Sequence, residues 1–386
     1  MSKGASQRKV LFLTAWYPSG EHPVAGIFVR EHALAAAQHD DVVVAYASSA
    51  ATTSPLLYSI SDKIENGVRT VHARYRRFPV PKLSYFAWPY LQWLIFRRLK
   101  KEGFLPDVIH AHVYYAGALA VLLGRLYRIP VVITEHSSVF SERLLRRHHV
   151  RMAKLAMQRA HFVLPVSQYL QRSIETYGIR ARFRIVPNAV ATDLFHPCAE
   201  SESTDANQHI KKLLTVALLT AVKGIPYLLE ALVKLREKRQ DFTLGIVGDG
   251  ENRAEYEALT RKIGLSSTVR FHGLRSKAEV AEFMRRCDIF MLPSLVETFG
   301  VVVIEALASG KPVVVSNVGG LREIVTEEVG CLVPPGDAES LMHALDWMLD
   351  HHQDYDKKAI AGYAQERYSR EVVGRMLHQI YLEAIG

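Results

Sequence analysis

Short apolar runs alternate with longer amphipathic stretches along both halves of this chain. The apolar runs are rich in Val and Ile, which is typical of strands buried on both faces of a parallel sheet. The predicted strands span 9–15, 42–46, 107–110, 131–135 and 162–166, and then 213–218, 242–247, 269–272, 289–292 and 313–315. The predicted helices span 27–38, 117–127 and 142–160, and then 226–239, 252–263 and 278–286. This alternation predicts two doubly wound α/β units with parallel sheets.

A polar run at residues 197–212 breaks the alternation and predicts a domain boundary, with domains at 1–196 and 197–386. The chain has 386 residues, of which 49% are hydrophobic, and this is enough for two cores. We expect a C-terminal helix over about 370–386 to pack back on the first domain. Ligands of such folds bind beyond the carboxyl ends of the strands, so two facing sheets would place the site in the cleft between them.

The net charge of +9 is unevenly distributed. Residues 1–195 hold 26 Lys and Arg against 12 Asp and Glu, whereas residues 196–386 hold 22 against 27. Basic residues interleave with aromatic ones over residues 69–101, and a second basic cluster lies on the predicted helix 142–160. The aromatic and basic members of the first segment are Arg74, Tyr75, Arg76, Arg77, Phe78, Lys82, Tyr85, Phe86, Trp88, Tyr90, Trp93, Phe96, Arg97, Arg98, Lys100 and Lys101.

Three interpretations of these basic segments stay open. Basic residues beside an aromatic amphipathic segment suit an anionic bilayer surface. Nucleic acid is a weaker alternative, and we expect no nucleic-acid partner. The third interpretation is that the aromatics belong to the core and the charges are merely solvated.

Other features favour a cytoplasmic protein, which could lie peripherally on the inner face of the cell membrane. No stretch approaches the roughly 18 to 20 uninterrupted apolar residues of a membrane-spanning helix. Residues 1–9 are polar and lack the apolar segment of a signal peptide. Cys198, Cys287 and Cys331 are widely spaced, without a metal-binding pattern, and we expect free thiols in a reducing compartment.

Residues 288–316 carry the clearest chemical signal. An apolar strand is followed by a turn containing Glu297, and a helix then opens at Gly300 and contains Glu305. The N–H groups and the positive dipole end at the start of a helix favour a phosphate. Ionised carboxylates accept hydrogen bonds from hydroxyl groups, so Glu297 can bind a sugar and Glu305 a ribose. Together these features predict a site for a nucleotide sugar.

This segment and several others resemble the retaining glycosyltransferases of family 4, which have the GT-B fold. The resemblance covers most of the chain and is most specific in its second half. In the second half it rests on residues 247–250, 271–273, 297–300 with Glu305, and 317–325. In the first half it rests on residues 16–19, 26–31, 107–112 and 186–188.

The resemblance implies roles for residues of the second half. It implies that Glu305 binds the ribose and that Glu297 positions the transferred sugar. Lys223 matches the lysine that contacts the diphosphate, where charge develops on the leaving group. The backbone of Thr298, Phe299, Gly300 and Val301 would hold sugar hydroxyls and the diphosphate, and the backbone of 273–275, from Gly273 to Arg275, would contact the base.

In the first half, the resemblance places His136 next to the donor sugar and the acceptor. It also places Gly26 in a loop that lets the backbone approach the phosphate. Three positions depart from the family pattern. The arginine that normally joins the lysine at the diphosphate is Leu218 here, a loss on the order of 1.5 to 3 kcal/mol of phosphate binding unless another basic residue compensates. Ala189 and Ala191 replace the glycine and aspartate usual after Val-Pro-Asn.

The resemblance implies a glycosyltransferase that uses a nucleotide-diphosphate sugar as co-substrate, with no metal or other cofactor, and acts on a glycan or lipid-linked acceptor in surface polysaccharide biosynthesis. Transfer would proceed with retention through an oxocarbenium-like state, without the two flanking carboxylates of glycosidases. Two alternatives remain. One is a GT-B sugar epimerase or phosphorylase, which the glutamate pair disfavours. The other is a non-catalytic nucleotide-sugar binder, which Leu218 favours.

Overall fold

The computed structural model of the chain describes residues 7–19, 24–50, 57–76, 81–198 and 210–386. The chain forms two compact units, Met1–Ala189 with Arg370–Gly386, and Val190–Ser369. The division thus falls before the expected boundary at residue 196. Most of the polar run 197–212, together with Arg77 and Phe78, lies outside the described residues, as do the side chains of Lys82 and Tyr85.

In the described part of the first unit, seven strands form one sheet in the order β3-β4-β2-β1-β5-β6-β7. The strands are β1 (Lys9–Thr14), β2 (Asp41–Ala50), β3 (Tyr58–Glu65), β4 (Val68–Arg76), β5 (Val108–His112), β6 (Val131–Glu135) and β7 (Phe162–Pro165). The sheet is parallel except for β3, which is antiparallel to β4. The strand order reverses between β1 and β5, and this is the switch point of the sheet.

The β3 and β4 strands form a hairpin that our sequence analysis did not predict. They are joined by Asn66 and Gly67, whose φ angles are 50° and 82°. Positive φ at both central residues defines the turn that Asn-Gly favours between paired strands. The Asn-Gly pair, flanked by alternating polar and apolar residues, was therefore the signal that could have revealed this edge of the sheet.

Helices cover both faces of the first sheet. They are α1 (Ile27–Ala36), α2 (Pro81–Lys101), α3 (Val113–Tyr127), α4 (Arg147–Arg159), α5 (Gln168–Glu175) and α13 (Arg370–Ile385). One buried core packs the sheet against α2 and α3, and the other packs it against α1 and α13. Helix α3 begins at Val113, before the predicted start at 117, and α4 begins at Arg147, after the predicted start at 142.

The C-terminal helix α13 packs against α1 within the first unit. The Arg370 Nε donates to Glu31 Oε2 over 2.7 Å, and Glu31 is almost fully buried. A Cβ at Gly374 would lie 2.3 Å from the Ala35 carbonyl oxygen, so only glycine lets these two helices approach so closely.

In the second unit, the described residues form a six-stranded parallel sheet in the order β10-β9-β8-β11-β12-β13. The strands are β8 (Lys211–Val216), β9 (Phe242–Val247), β10 (Val269–Gly273), β11 (Ile289–Leu292), β12 (Val313–Ser316) and β13 (Gly330–Val333). The helices are α6 (Ile225–Lys238), α7 (Arg253–Lys262), α8 (Lys277–Arg286), α9 (Val301–Ala308), α10 (Leu321–Ile324), α11 (Ala338–His351) and α12 (Lys357–Tyr368).

The order of the second sheet reverses between β8 and β11, and the loops that follow these two strands meet at that switch point. Strand β11 lies in the middle of the sheet. Its residues, Ile289–Leu292, are all apolar and buried, which is typical of a parallel strand covered on both faces. The two parallel α/β units confirm the predicted fold class. Within the described residues, no helix combines the length and the apolar character needed to cross a bilayer.

Candidate active site

The loops after β8 and β11 contact each other through their backbones. Leu295 N donates to Val222 O over 2.7 Å. Gly224 has a φ of 67°, and a Cβ there would lie 2.0 Å from the Pro293 carbonyl oxygen. Glycine is therefore required at 224, both for the left-handed backbone and for the close approach of the second loop. This packing fixes the position of the residue before it, Lys223.

Lys223 and Glu297 form an ion pair at this switch point. The Lys223 Nζ donates to Glu297 Oε2 over 2.7 Å, although the two residues are 74 positions apart in sequence. Their side chains are 21% and 13% exposed, so solvent screens the pair only partly. The structure thus brings together the two residues that the sequence predicts to contact the diphosphate and the transferred sugar.

The glutamate loop runs into the start of helix α9. Gly300 caps the helix with a φ of 99°, and Gly320 N donates to Glu297 O over 3.2 Å. The first N–H groups of a helix have no partner within the helix, and they carry its positive dipole end. Thr298 and Phe299 lie in the loop, and Val301 opens the helix. The start of α9 therefore lies beside Glu297, and the anion site stays a prediction.

Glu305 lies in the second turn of α9 and is only 6% exposed. Its Oε1 is 3.4 Å from the Nζ of Lys277, the first residue of α8. A lysine at a helix start opposes the helix dipole, so its placement there is explained by the carboxylate it faces. Our sequence analysis did not single out Lys277. The capping box of Ser276 and Glu279, a pattern readable in the sequence, was the signal for a helix start at this lysine.

The predicted contacts to the base lie farther along the same edge, after β10. Gly273 has a φ of 71°, and its carbonyl accepts from Gly248 N over 2.9 Å. Arg275 is exposed and forms an ion pair with Glu279 in the next helix turn. A Cβ at Gly248 would lie 1.9 Å from Ala217 O, so the loops after β8 and β9 are also packed backbone to backbone.

Leu218 lies in the loop after β8, at the position where the family has its arginine. The side chain is 59% exposed, which is unusual for a leucine on a tightly packed loop. Its neighbour Leu219 is fully buried, donates its backbone N–H to Asp249 O and accepts from Asn252 N. The loop therefore keeps its backbone geometry while its exposed side chain carries no charge.

In the first unit, Gly26 and His136 follow different strands. Gly26 caps α1 after the loop from β1, with a φ of 68°, and a Cβ there would lie 2.3 Å from Trp16 O. His136 directly follows β6 and is 7% exposed. Its ring centroid lies 4.3 Å from that of Phe28 on α1. Each residue thus lies at the strand-end edge of the first sheet.

Hydrogen bonds determine the tautomer of His136. Its Nδ1 lies 3.0 Å from Asn188 Oδ1, an acceptor, so Nδ1 carries the proton. His136 Nε2 is then an acceptor, and it lies 3.0 Å from His112 Nδ1, which donates to it. Burial, followed by the nearby imidazole of His32, holds the pKa of His136 well below its usual range. The imidazole is therefore neutral at physiological pH.

The carboxylate of Glu135 organises the backbone around His136. It accepts hydrogen bonds from Tyr114 N, His136 N, Ser137 N and Ser137 Oγ, at 2.6 to 3.1 Å. Burial raises the pKa of Glu135, and these hydrogen bonds oppose that rise. The same carboxylate holds the start of α3, where Val113 has a φ of 65°. Positive φ in a β-branched residue is strained, and such strain is found mainly at functional sites.

Two family profiles match the chain. Residues 25–194 match the family described as Glycosyltransferase Family 4, and residues 199–366 match Glycosyl transferases group 1. The chain is a glycosyltransferase. Among curated relatives of this glycosyltransferase, the glycogen synthase of Mycobacterium tuberculosis is 29% identical over 378 residues, which cover 91% of this chain and 88% of that protein.

Solved structures agree with this fold. Sucrose-phosphate synthase from Thermosynechococcus elongatus has a TM-score of 0.76 and 22% identity, with 98% of each chain covered. The Anabaena protein HepE, solved in complex with UDP and glucose, has a TM-score of 0.75 and 22% identity, with 97% of this chain and 100% of HepE covered. The glycosyltransferase described here therefore has the GT-B fold that its sequence predicts.

Proposed function

We propose that this glycosyltransferase moves a sugar from a nucleotide-diphosphate sugar to a hydroxyl of a glycan or lipid-linked acceptor, with retention at the anomeric carbon. The observation that carries the proposal is the Lys223–Glu297 pair at the switch point of the second sheet, beside the start of α9. It combines a cation and a helix N-terminus for a diphosphate with a carboxylate for sugar hydroxyls. The complex of HepE with UDP and glucose supports a donor of this class.

The second unit supplies the donor site in this proposal. The diphosphate lies against the N–H groups from Gly300 onward, and Lys223 exchanges part of its contact with Glu297 for a phosphate oxygen. Glu305 accepts hydrogen bonds from the ribose hydroxyls. Lys277, 3.4 Å from Glu305, orients that carboxylate. The base lies toward Gly273 and Arg275.

In this proposal, the main catalytic task is to stabilise the negative charge that develops on the leaving group. As the bond from the anomeric carbon to the diphosphate oxygen breaks, negative charge grows on the diphosphate. Lys223 and the start of α9 stabilise that charge. A phosphate oxygen of the leaving group takes the proton of the acceptor hydroxyl, which attacks from the same face. No metal is required in this step, because Lys223 and the helix supply the positive field.

His136 and Gly26 of the first unit belong to this proposal by family resemblance. A neutral His136 whose Nε2 is an acceptor can exchange its contact with His112 for a sugar hydroxyl. Gly26 lets the backbone after β1 come close to a ligand, since a side chain there would collide with Trp16. Both roles stay predictions.

A donor and acceptor panel tests the proposal. Thermal unfolding is followed with UDP, GDP and ADP and their sugars, because at a fixed concentration a tighter ligand raises the midpoint more. The donor that stabilises the protein is then incubated with glucan and lipid-linked acceptors, and the anomeric configuration of the product is read by NMR. We expect retention. An inverted product overturns the retaining mechanism, and the absence of any nucleotide binding at millimolar concentration overturns the donor site.

A non-catalytic binder is the second candidate, and Leu218 is the observation that favours it. The exposed leucine replaces a cation where the diphosphate is expected. Binding without turnover on the whole panel would support this candidate, and Leu218→Arg would then be expected to tighten diphosphate binding about 10-fold or more. Consumption of the donor without an acceptor, with a changed sugar, would point to the epimerase alternative.

We further propose that the first unit rests on an anionic membrane surface and that the acceptor is lipid-linked, as in surface polysaccharide biosynthesis. Two of the aromatics in the basic segment, Trp88 and Phe96, are buried in the core, so these two do not face a membrane surface. Phe86 and Tyr90 of the same helix are exposed. Helix α4 adds an exposed basic face with Arg147 and Arg151.

Flotation with anionic liposomes tests this surface. We expect the unmodified protein to float with vesicles containing phosphatidylserine and not with neutral ones. The double variant Arg147→Glu and Arg151→Glu is expected to lose flotation, because each basic residue near the surface contributes about 1 kcal/mol. The matched control reverses Arg261 and Lys262 on α7 of the second unit. Equal flotation of both variants would contradict the proposed surface.

A further inference from the structure

Three buried imidazoles converge in the first unit. His32 lies on α1, His112 ends β5, and His136 follows β6. Each of them offers a ring nitrogen, and these three nitrogens lie within 4.8 Å of one another. The ring centroids are 5.2, 5.3 and 5.8 Å apart. The three ring nitrogens therefore lie close together.

Two of the imidazoles donate hydrogen bonds to the same short segment, residues 187–188. His32 Nε2 donates to Pro187 O over 3.0 Å, and His136 Nδ1 donates to Asn188 Oδ1 over 3.0 Å. The second ring nitrogen of each, His32 Nδ1 and His136 Nε2, consequently holds a lone pair. A metal-ligating histidine almost always donates its other N–H to a carbonyl or carboxylate in this way. The Val-Pro-Asn motif thus supplies both outer contacts.

His112 supplies the third imidazole. Its Nδ1 lies 3.0 Å from His136 Nε2. Ligand nitrogens of a tetrahedral zinc site, at about 2.0 to 2.1 Å from the metal, lie about 3.3 Å apart, so this spacing needs little adjustment. Within the part of the chain that the structure describes, the buried atom His32 Nδ1 has no hydrogen-bond partner. Buried polar atoms are seldom left unpaired, and such exceptions call for an explanation.

We propose that His32, His112 and His136 form a binding site for a divalent transition-metal ion of the zinc and cobalt class. Neutral imidazole suits these ions, and three protein nitrogens leave a fourth position for water or another ligand. On binding, the proton of His112 moves from Nδ1 to Nε2, so that Nδ1 becomes a ligand and the ring stays neutral. Burial already holds the pKa of all three imidazoles low, which keeps the ligating form populated.

The ion takes no part in the proposed transfer step, although its site shares His136 with that proposal. It is a feature that the sequence did not predict, since we expected no metal. A metal held by His136 Nε2 would take that nitrogen from a sugar hydroxyl. The ion is therefore expected to inhibit transfer rather than to support it.

Cobalt binding tests the site directly. The full chain is treated with a chelator, freed of it, and titrated with Co²⁺ alone, with visible absorption and isothermal titration calorimetry as readouts. We expect one ion per chain and the intense absorption of four-coordinate cobalt, which Zn²⁺ then removes by displacement. No such absorption, or a weak octahedral spectrum, overturns the proposal. The readout uses no donor or acceptor, so its failure is distinct from failure of the proposed transferase function.

Two variants and one control locate the ion. Asn188→Ala removes an outer contact and is expected to weaken binding about 10- to 100-fold, and His32→Gln removes a ligand and is expected to weaken it further. The control His343→Gln with His351→Gln removes two exposed imidazoles of the second unit and should bind cobalt as the unmodified protein does. Unchanged affinity in both test variants, or a loss in the control, overturns the assignment.

Discussion

The strand-end edges of the two sheets use opposite chemistry. In the second unit, the side chains there are charged and paired across loops, as Lys223 with Glu297 and Lys277 with Glu305. In the first unit, the side chains are buried neutral imidazoles joined in a hydrogen-bonded chain from His112 through His136 to Asn188. Under the proposed function, the edge of the second unit holds the charged donor, and the edge of the first unit offers neutral hydrogen-bond donors and acceptors.

Removal of Lys223 from the charged edge of the second unit should have the largest effect on activity. We expect Lys223→Ala to lower kcat/KM for transfer about 10²- to 10³-fold, as for removal of one group that stabilises developing negative charge. Steady-state assays with the donor found in the panel measure this. The matched control is Lys234→Ala, which breaks an exposed ion pair with Glu339 in the same unit. A Lys223→Ala enzyme with unchanged kcat/KM would show that the pair with Glu297 is only structural.

Acid should distinguish the neutral edge from the charged one. Burial lowers the pKa of His32 to about 4, and it also lowers those of His110, His112 and His136. An unfolded imidazole titrates near about pH 6.5, so below that value the unfolded state binds protons that the folded state excludes. The resulting stability is complete above about pH 6.5 and falls as the pH drops toward 4; His32 alone accounts for about 3 kcal/mol.

Hydrogen exchange with mass spectrometry at neutral and mildly acidic pH, corrected for intrinsic rates, measures this difference. Peptides from α1, β5 and β6 are expected to lose protection before peptides from β8 and β11. His32→Leu, which cannot take up a proton, should flatten the pH dependence of the first unit. Equal loss of protection in both units would contradict the expected difference in their acid stability.

The ribose contact gives a smaller effect on the charged edge. Glu305→Gln is expected to weaken binding of the preferred nucleoside diphosphate about 10- to 100-fold, because a hydrogen bond to a charged group contributes about 1.5 to 3 kcal/mol. Isothermal titration calorimetry measures the affinity. Glu282→Gln, an exposed carboxylate on α8 paired with Arg285, is the control. If the two variants bind equally well, Glu305 does not contact the nucleotide.

Loop packing at the switch point gives the smallest expected change. Gly224 and Gly264 have nearly the same φ, 67° and 72°, but a Cβ at Gly224 meets the Pro293 carbonyl at 2.0 Å, whereas one at Gly264 meets the flexible Arg236 side chain at 3.6 Å. Alanine at either position incurs about 1 to 2 kcal/mol for the left-handed backbone. Gly224→Ala should lose about 1 to 3 kcal/mol more through overpacking. Urea unfolding of both variants measures the difference, and equal losses would refute the close packing.

The sequence predicts the charged edge better than the neutral one, and the reason is physical. Strand 289–292 is entirely apolar and strand 242–247 is mostly apolar, so their bounds are read correctly from composition. Glu297 and Glu305 lie eight residues apart on one turn and helix, so the pattern that places them is local. The sequence also places Lys223 on this edge by resemblance, but its pairing with Glu297 becomes visible only in three dimensions.

The histidine cluster has no local signature. His32 and Pro187 are 155 positions apart, and the four segments that meet there lie on a helix, two strand ends and a loop. Only the packing of the first sheet determines that these rings converge. The same holds for Lys277, whose approach to Glu305 depends on how α8 packs beside α9. The β3 to β4 hairpin is different, because its Asn-Gly turn was readable and was overlooked.

The way the chain returns to its first unit has a consequence for biosynthesis. Residues 370–386 complete that unit through α13 and the Arg370 contact to Glu31, yet the ribosome adds them only after all of the second unit. The face of α1 that packs against α13 therefore stays uncovered while 180 further residues, Val190–Ser369, are translated. The second unit can close as soon as it emerges, so the part of the enzyme made first is the part that finishes folding last.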